Sequence, residues 1–194
     1  MTAPETFDAF VVALPGLEPL VERELVALGI PGGQRRPGGI AIPLSSRDLY
    51  RANLWLRTAS RVVVRLGRFR AAHLSELSRR AATLPWGRFL DDRSPVTVRA
   101  TCHRSRIYHS GAAAERVARA LAGSTGRPDL PTHGSDGVDE EGAAQAVLVR
   151  LDRDDCEVSL DASGAHLHRR GYRTEASPAP LRETLAAALL TWAG

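Results

Sequence analysis

The strongest constraint on the fold is a repeated switch between strand-like and helix-like spacing of apolar residues. Residues 7–14 read FDAFVVAL, a β-rich run that ends at Pro15-Gly16, and this pattern predicts a first strand. The following residues, LEPLVERELVALGI, carry apolar side chains three and four positions apart, which predicts a helix that closes near Gly29. The Gly/Pro turn in PGGQRRPGGIAIPL then predicts a hairpin, and SSRDLYRANLWL predicts a helix capped by Ser45 or Ser46.

This opening of about sixty residues resembles half of a ferredoxin-like unit. The alternation then continues. Strands are predicted in SRVVVRLGRF, in SPVTVRATC and on both sides of the acidic turn DRDD, and the stretch AHLHRRGYR is predicted to be extended. Helices are predicted in HLSELSRRAATL and in SGAAAERVARALAG, the second ending at Gly123, and residues 124–142 are predicted to form a surface loop. The fold class is therefore α+β, with two segments that meet near residue 60.

Composition excludes several classes of protein. The apolar runs are far shorter than a membrane span, and the N-terminus lacks a basic region before an apolar stretch, so we expect a cytoplasmic location. The two cysteines, Cys102 and Cys156, match no C-x-x-C spacing and predict neither a disulfide framework nor a zinc finger. GSTGRPD at residues 123–129 follows a predicted helix and lacks the P-loop pattern, so no nucleotide site is predicted in this chain.

Positive charge is concentrated in one segment of the chain. All 26 basic residues are arginine, which a GC-rich genome would explain in part. Residues 35–119 nevertheless hold 18 Arg against five acidic residues, whereas residues 120–168 hold three Arg against ten. Codon bias selects the type of basic residue but does not gather the charge, so this segment predicts binding of a polyanion.

The stretch TCHRSRIYHSG is the leading candidate for RNA contact. It leaves a predicted strand and opens a predicted helix, where free backbone N–H groups favour phosphate. Its charged side chains could contact phosphate and its tyrosine could stack on a base. The alternative is a solvated basic loop whose tyrosine packs on the core. The predicted contact residues of this first patch are Arg99, His103, Arg104, Arg106, Tyr108 and His109.

Two further basic patches are predicted. The second comprises Arg68, Arg70, Arg79 and Arg80, and the third comprises Arg169, Arg170 and Arg173 in LHRRGYR. Arginine pairs with carboxylates as readily as with phosphates. The third patch could therefore instead be a structural corner tied to the acidic residues of 152–161.

Metal and nucleophile chemistry are weaker hypotheses. His166-x-His168 would place two imidazoles on one strand face, but zinc sites use three or four protein ligands and no others lie nearby in the sequence. Cys102, His103 and Asp161 could form a nucleophile, base and orienting acid, which only geometry can establish. A hydrolase built on Cys102 or Ser163 stays a distant alternative.

The chain resembles a known enzyme family in several of these segments. LRTASRVVVRLGRF, VTVRATCHRSRIYHSGAAAERVARAL and QAVLVRLDRDDCEVSLDASGAHLHRRGYR are similar to the N-terminal half of THUMP-domain RNA guanine-N2 methyltransferases. The bacterial type that acts on 23S ribosomal RNA is the most similar. The most specific block is SLDASGAHLHRRGYR with APLRETLAAALL, and the resemblance runs from about residue 7 to the end.

The resemblance implies a domain organisation and a role. Residues 1–60 would form a ferredoxin-like domain, residues 61–172 a THUMP RNA-binding domain, and residues 173–194 a linker and helix. That helix, with Leu181, Leu185, Ala188 and Leu189 on its apolar face, would lead into a Rossmann-like methyltransferase domain absent from this chain. S-adenosylmethionine would bind in that domain, so no cofactor or catalytic residue is assigned here. The chain would bind and position RNA.

Two other functions stay open at this point. The chain could be a standalone RNA-binding adaptor that delivers RNA to a separate enzyme. It could also be a protein-interaction scaffold in which residues 65–119 pair with an acidic partner, or with residues 129–161 of a second copy. The scaffold predicts salt-sensitive self-association without any preference for RNA.

Overall fold

The chain folds into two compact units. The computed structural model describes residues 5–91, 95–126, 132–133, 144–171 and 180–193. One unit comprises residues 1–64 and 165–194, and the other comprises residues 65–164. The C-terminal residues thus cluster with the first unit, whereas the boundaries proposed from sequence place residues 165–172 in the second segment.

The first unit is built on an antiparallel sheet with two helices, α1 and α2, between its strands, and a third helix follows at its C-terminal end. Its strands lie in the order β2-β3-β1-β4, and the last strand continues into the second unit. This is the complete β-α-β-β-α-β order of a ferredoxin-like fold, so the expectation of half such a unit was too small. The elements are β1 (Thr6–Ala13), α1 (Glu18–Ala27), β2 (Gln34–Arg36), β3 (Gly39–Ser45), α2 (Ser46–Trp55) and β4 (Ala59–Arg70).

Register and caps follow from the sequence. Val11 of β1 pairs with Ile40 on one side and Val62 on the other, and all three side chains are fully buried. Gly39 has a φ of 158°, and a Cβ there would lie 2.1 Å from the carbonyl oxygen of Val11, so only glycine fits this close approach. Ser45 is the N-cap of α2, as one of the two predicted options, and its Oγ accepts a hydrogen bond from Asp48 N at 3.2 Å.

A last helix, α5 (Glu183–Ala193), belongs to the first unit. Ala188 is 1% exposed and packs with Leu17 and Leu20, and Leu185 is partly buried against the same cluster. The helix that the resemblance expects to lead into a further domain thus has apolar contacts of its own within the first unit. Leu189, predicted on its apolar face, stays exposed because the contact with α1 covers only a narrow strip of the helix.

The second unit is a mixed sheet with helices. Beside the second half of β4 it contains α3 (Leu74–Ala82), a 3-10 turn (Trp86–Arg88), β5 (Val96–His103), α4 (Ser110–Thr125), β6 (Thr132–His133), β7 (Gln145–Asp152) and β8 (Asp155–Asp161). The strands lie in the order β4-β8-β7-β5-β6. β5 is parallel to β6 and β7, while β7 and β8 are antiparallel.

Period-two spacing in the strands and small residues in α4 make the core of this unit. Val96, Val98 and Ala100 are buried as the alternation predicts, and the inward side chains of α4 and α3 pack over them. α4 continues through Gly123 to Thr125, two residues past the predicted end, and Gly126 ends it in a left-handed conformation with φ 69°.

The predicted final extended piece is wrong within the described residues. Residues 165–171 form bends and a turn instead, with Arg169 N donating to the carbonyl of His166 at 2.9 Å. Leu167 is anchored by a hydrogen bond from its N–H to Ser60 O at 2.9 Å and by burial in the first core. A lone chain segment with one such bond does not build a strand ladder.

Candidate nucleic-acid interface

The basic loop, residues 103–109, lies beside the acidic turn, residues 152–155. β5 and β7 run parallel from Val96 opposite Gln145 to His103 opposite Asp152, so both strands end at the same edge of the sheet. The sequence continues as HRSRIYH after one strand and as DRDD after the other. Strand pairing therefore places these oppositely charged segments against each other.

Hydrogen bonds hold the basic loop on the acidic turn. Arg106 N donates to Asp154 Oδ1 at 2.8 Å, and Asp154 N donates to Ser105 Oγ at 3.1 Å. Arg153 N donates to His103 O at 3.1 Å. Asp154 is 7% exposed, so these bonds are shielded from water and the loop has a fixed backbone.

The backbone in this region is locally strained. Arg104, Arg153 and Asp154 have φ values of 46°, 52° and 66°, in the left-handed region where a side chain costs roughly 1–2 kcal/mol. Two successive left-handed residues make the tight reversal between β7 and β8. Ile107, 6% exposed, anchors the loop in the core, so packing and hydrogen bonds together offset the strain.

The acidic turn compensates part of the positive charge. His103 Nδ1 lies 3.3 Å from Asp152 Oδ1, and Arg106 Nε lies 3.6 Å from Asp154 Oδ2. The hydrogen bond from His103 lowers the pKa of Asp152, and the charge of Arg153 lowers it further. The ion pair of Arg106 and the contact of His103 with Asp152 thus help to position the loop.

Other groups of the basic loop face solvent. Among the described residues, Arg104 makes no hydrogen bond or ion pair through its side chain and is exposed. Tyr108 is 73% exposed, and its ring centroid lies 4.3 Å from that of His109. His109 is the N-cap of α4 and its side chain makes no capping hydrogen bond, and the positive end of the helix dipole favours an anion at this position.

The second predicted patch is divided between two elements. Arg68 Nη2 lies 3.1 Å from Asp155 Oδ2, and Arg70 precedes Ala71, whose N–H donates to Asp154 O at 2.8 Å. These arginines therefore lie at the same edge as the basic loop. Arg79 and Arg80 are exposed on the last turn of α3, where cations favour the helix dipole.

Arg99 occupies a different environment from the rest of the first patch. It lies within β5, four positions before the basic loop, and its side chain is half-buried with Nε inaccessible to solvent. Burial of Nε restricts the use of this side chain as a phosphate ligand.

The third predicted patch is only partly described. Arg170 donates to three backbone carbonyls at the end of α2, those of Asn53 (2.8 Å), Leu54 (2.7 Å) and Leu56 (2.9 Å). This corner is structural, but its partners are carbonyls and not the acidic residues suggested by sequence. Arg169 is exposed, and Arg173 lies outside the described residues.

The weaker chemical hypotheses gain no support from geometry. His166 and His168 stack at 5.3 Å, and no cluster of three metal-ligating side chains occurs among the described residues. Burial raises the pKa of Cys102, and burial raises that of Cys156 to about 12, so neither thiol is activated. His103 pairs with Asp152, and the backbone of Ser163 bonds to Asp161.

Sequence reasoning missed two features. The first is the positioning role of Asp154, which depends on the pairing of β5 with β7, a contact that local sequence patterns do not indicate. The second is the exposed outer side of α2, where Tyr50, Leu54 and Trp55 are all more than half exposed. Their helical spacing places them opposite Leu49, Ala52 and Leu56, and this pattern carried the signal.

Comparison with known proteins places the chain beside methyltransferases. A family model described as the RlmL ferredoxin-like domain matches residues 8–63. A ribosomal RNA large subunit methyltransferase K/L from Methylococcus capsulatus is 38% identical over 196 residues, covering 98% of this chain and 26% of that protein. The chain thus spans about a quarter of the length of this relative.

Solved structures agree with the fold. A protein from Listeria monocytogenes, described as a predicted N6-adenine-specific DNA methylase, superposes with a TM-score of 0.81 at 30% identity, covering 96% of this chain and 48% of that one. SMU.472, described as a candidate methyltransferase and complexed with SAH, superposes with a TM-score of 0.79 at 27% identity, covering 98% of this chain and 49% of that one.

The described helices were also compared with the requirements of a membrane span. None of them combines the length and the hydropathy that such a span needs.

Proposed function

We propose that this chain is the RNA-binding part of an S-adenosylmethionine-dependent methyltransferase that acts on guanine N2 of 23S ribosomal RNA. The ferredoxin-like domain would be followed by a THUMP domain over residues 61–172, and residues 173–194 would lead to a catalytic domain. The cofactor and the catalytic residues belong to that domain. The chain itself supplies affinity and orientation, with no methyl transfer of its own.

One observation carries the proposal. The basic loop is held rigidly at the start of α4 by Asp154, while Arg104 and Tyr108 face solvent. Phosphate contacts made by arginine and by helix N–H groups position RNA without reading much of its sequence. The similarity of nearly the whole chain to a ribosomal RNA methyltransferase supports RNA as the polyanion.

The experiment is a salt titration of binding between the 194-residue chain and a ribosomal RNA fragment. Arg104→Ala/Arg106→Ala is compared with Arg116→Ala/Arg119→Ala, which removes the same charge from later turns of α4. The first variant is expected to reduce the slope of log affinity against log salt by about 0.7–0.9, the value of one lost phosphate contact at Arg104, because Arg106 is already paired with Asp154. The control is expected to change the slope by less than about half of that.

Equal effects of the two double variants would refute the placement of RNA on the basic loop. Absence of binding at low salt would refute RNA binding by this chain. The scaffold alternative predicts instead that wild-type chain self-associates at low salt. Arg65 Nε lies 3.0 Å from Glu157 Oε2, so the basic and acidic segments already pair within one chain and need no second copy.

A further inference from the structure

The outer side of α2 carries an exposed aromatic surface with no role in the fold. Tyr50, Leu54 and Trp55 are 72%, 65% and 65% exposed. At 3.6 residues per turn, these three positions fall with Arg47 and Arg51 within about 140° of arc. We call these five residues the outer face of α2.

The opposite side of the helix makes the packing contacts with the core, so the outer face is not needed for the fold. Ala52 and the following Leu56 are fully buried in the first core, and Leu49 is partly buried against it. The helix is therefore already fixed by its inner side. Two large aromatic side chains left in water cost solubility, and clustered exposed apolar groups mark interaction surfaces.

Arginine side chains lie near both ends of the outer face. Arg47 is exposed in the first turn, and Arg51 Nη1 lies 3.6 Å from Asp48 Oδ1, whose other oxygen accepts a hydrogen bond from Ser45 Oγ. At the C-terminal end, Arg170 Nη1 donates to the carbonyl of Leu54. The surface thus combines aromatic rings with arginine cations, and the carboxylate of Asp48 lies near its first turn.

We propose that the outer face of α2 is a stacking surface for unpaired bases of RNA. Trp55 and Tyr50 receive the bases, and Arg47 and Arg51 contact the flanking phosphates. Aromatic rings interleaved with arginine are the chemistry of single-strand recognition, whereas a purely apolar protein partner would not need the cations. This inference rests on the proposed function of RNA binding and adds a second contact surface to it.

The test compares Trp55→Ala with Trp55→Phe in the full chain, using a labelled single-stranded oligoribonucleotide of about 16 nucleotides. We expect the Ala variant to bind about tenfold more weakly and the Phe variant within about twofold of wild type, because phenylalanine retains a stacking ring. Val26→Ala on α1, another exposed apolar residue at 58%, is the matched control and leaves affinity unchanged. The salt slope stays constant because no charge is removed.

The outcomes separate this inference from the proposed function. If Trp55→Ala matches Val26→Ala while Arg104→Ala/Arg106→Ala still weakens binding, the stacking surface is refuted and RNA binding stands. If the wild-type chain binds no RNA, both fail. If Trp55→Ala alters sedimentation of the free chain but leaves RNA affinity intact, the face is a protein contact and the inference is overturned.

Discussion

Replacement of Asp154 separates loop geometry from charge. Its carboxylate accepts the Arg106 N–H at 2.8 Å, its own N–H donates to Ser105 Oγ, and its φ is 66°. Asp154→Asn keeps an oxygen acceptor and a residue type that tolerates the left-handed region, but removes the charge. Asp154→Ala removes the charge and the acceptor together. The two variants therefore differ in loop geometry at equal net charge.

The magnitudes follow from the lost contacts. An unpaired, largely buried N–H costs about 1–3 kcal/mol, and alanine in the left-handed region adds about 1 kcal/mol over asparagine. We expect Asp154→Ala to lower the free energy of unfolding by about 2–4 kcal/mol and Asp154→Asn by about 1 kcal/mol. Loss of a negative charge at about 4 Å from a guanidinium raises affinity for RNA by about twofold to fivefold in Asp154→Asn. In Asp154→Ala the loop must be ordered on binding, which lowers the affinity for RNA about tenfold relative to Asp154→Asn.

The assays are urea unfolding and RNA binding measured on the same preparations. Trp86 reports on the second unit, since it is 1% exposed and its Nε1 donates to Ala81 O at 2.9 Å. Equal RNA affinities of the two Asp154 variants, both above wild type, would show that only charge matters. That result would refute a preformed loop as the basis of binding.

Two further predictions concern the stability of the fold. Arg170→Ala is expected to lower the free energy of unfolding of the first unit by about 1.5–3 kcal/mol in urea titrations, because three carbonyls at the end of α2 lose a charged donor, and Arg170→Lys restores only part of it. Hydrogen bonds from its own backbone N–H and then from Gly38 N lower the pKa of Glu18, and the hydrogen bond from His103 lowers that of Asp152. Their stabilisation is complete above the unfolded pKa of about 4 and is lost as pH falls through the lower folded values. Glu18→Gln/Asp152→Asn should flatten this acid limb, and an unchanged limb would contradict the assignment.

The elements of the fold were predictable where the spacing of apolar residues and the positions of turn residues agree. Val96, Val98 and Ala100 alternate with polar residues, and DRDD interrupts two apolar runs, so both patterns identify strands without tertiary information. The prediction of an extended conformation failed for residues 165–171 because their alternating histidines resemble the side-chain pattern of a strand. A strand needs a partner edge with a ladder of backbone bonds, whereas residues 165–171 form bends and a turn in which Leu167 N is bonded to Ser60 O.

The candidate site was predictable in composition but not in arrangement. HRSRIYH at a strand-to-helix junction identifies a basic loop from sequence alone. That Asp154 holds this loop depends on β5 pairing with β7, across about fifty residues of sequence, and local patterns carry no signal for such a pairing. Arg170 shows the same limit, because its three carbonyl acceptors lie more than a hundred residues earlier in the chain.

The number of arginines is a poor measure of the affinity to expect. Glutamate and aspartate of residues 120–168 neutralise Arg65, Arg68 and Arg106 within the second unit, and those pairs fix strands and the basic loop. Four described arginines of the predicted patches make no side-chain hydrogen bond or ion pair with another described residue. They are Arg70, Arg79, Arg80 and Arg104. Together with Arg47 and Arg51 of the outer face of α2, these give about six phosphate contacts, which on single-stranded RNA correspond to a log–log salt slope near −4, whereas a contact for each net charge of residues 35–119 would give about −9. A shallow slope is therefore the signature of arginines divided between folding and binding.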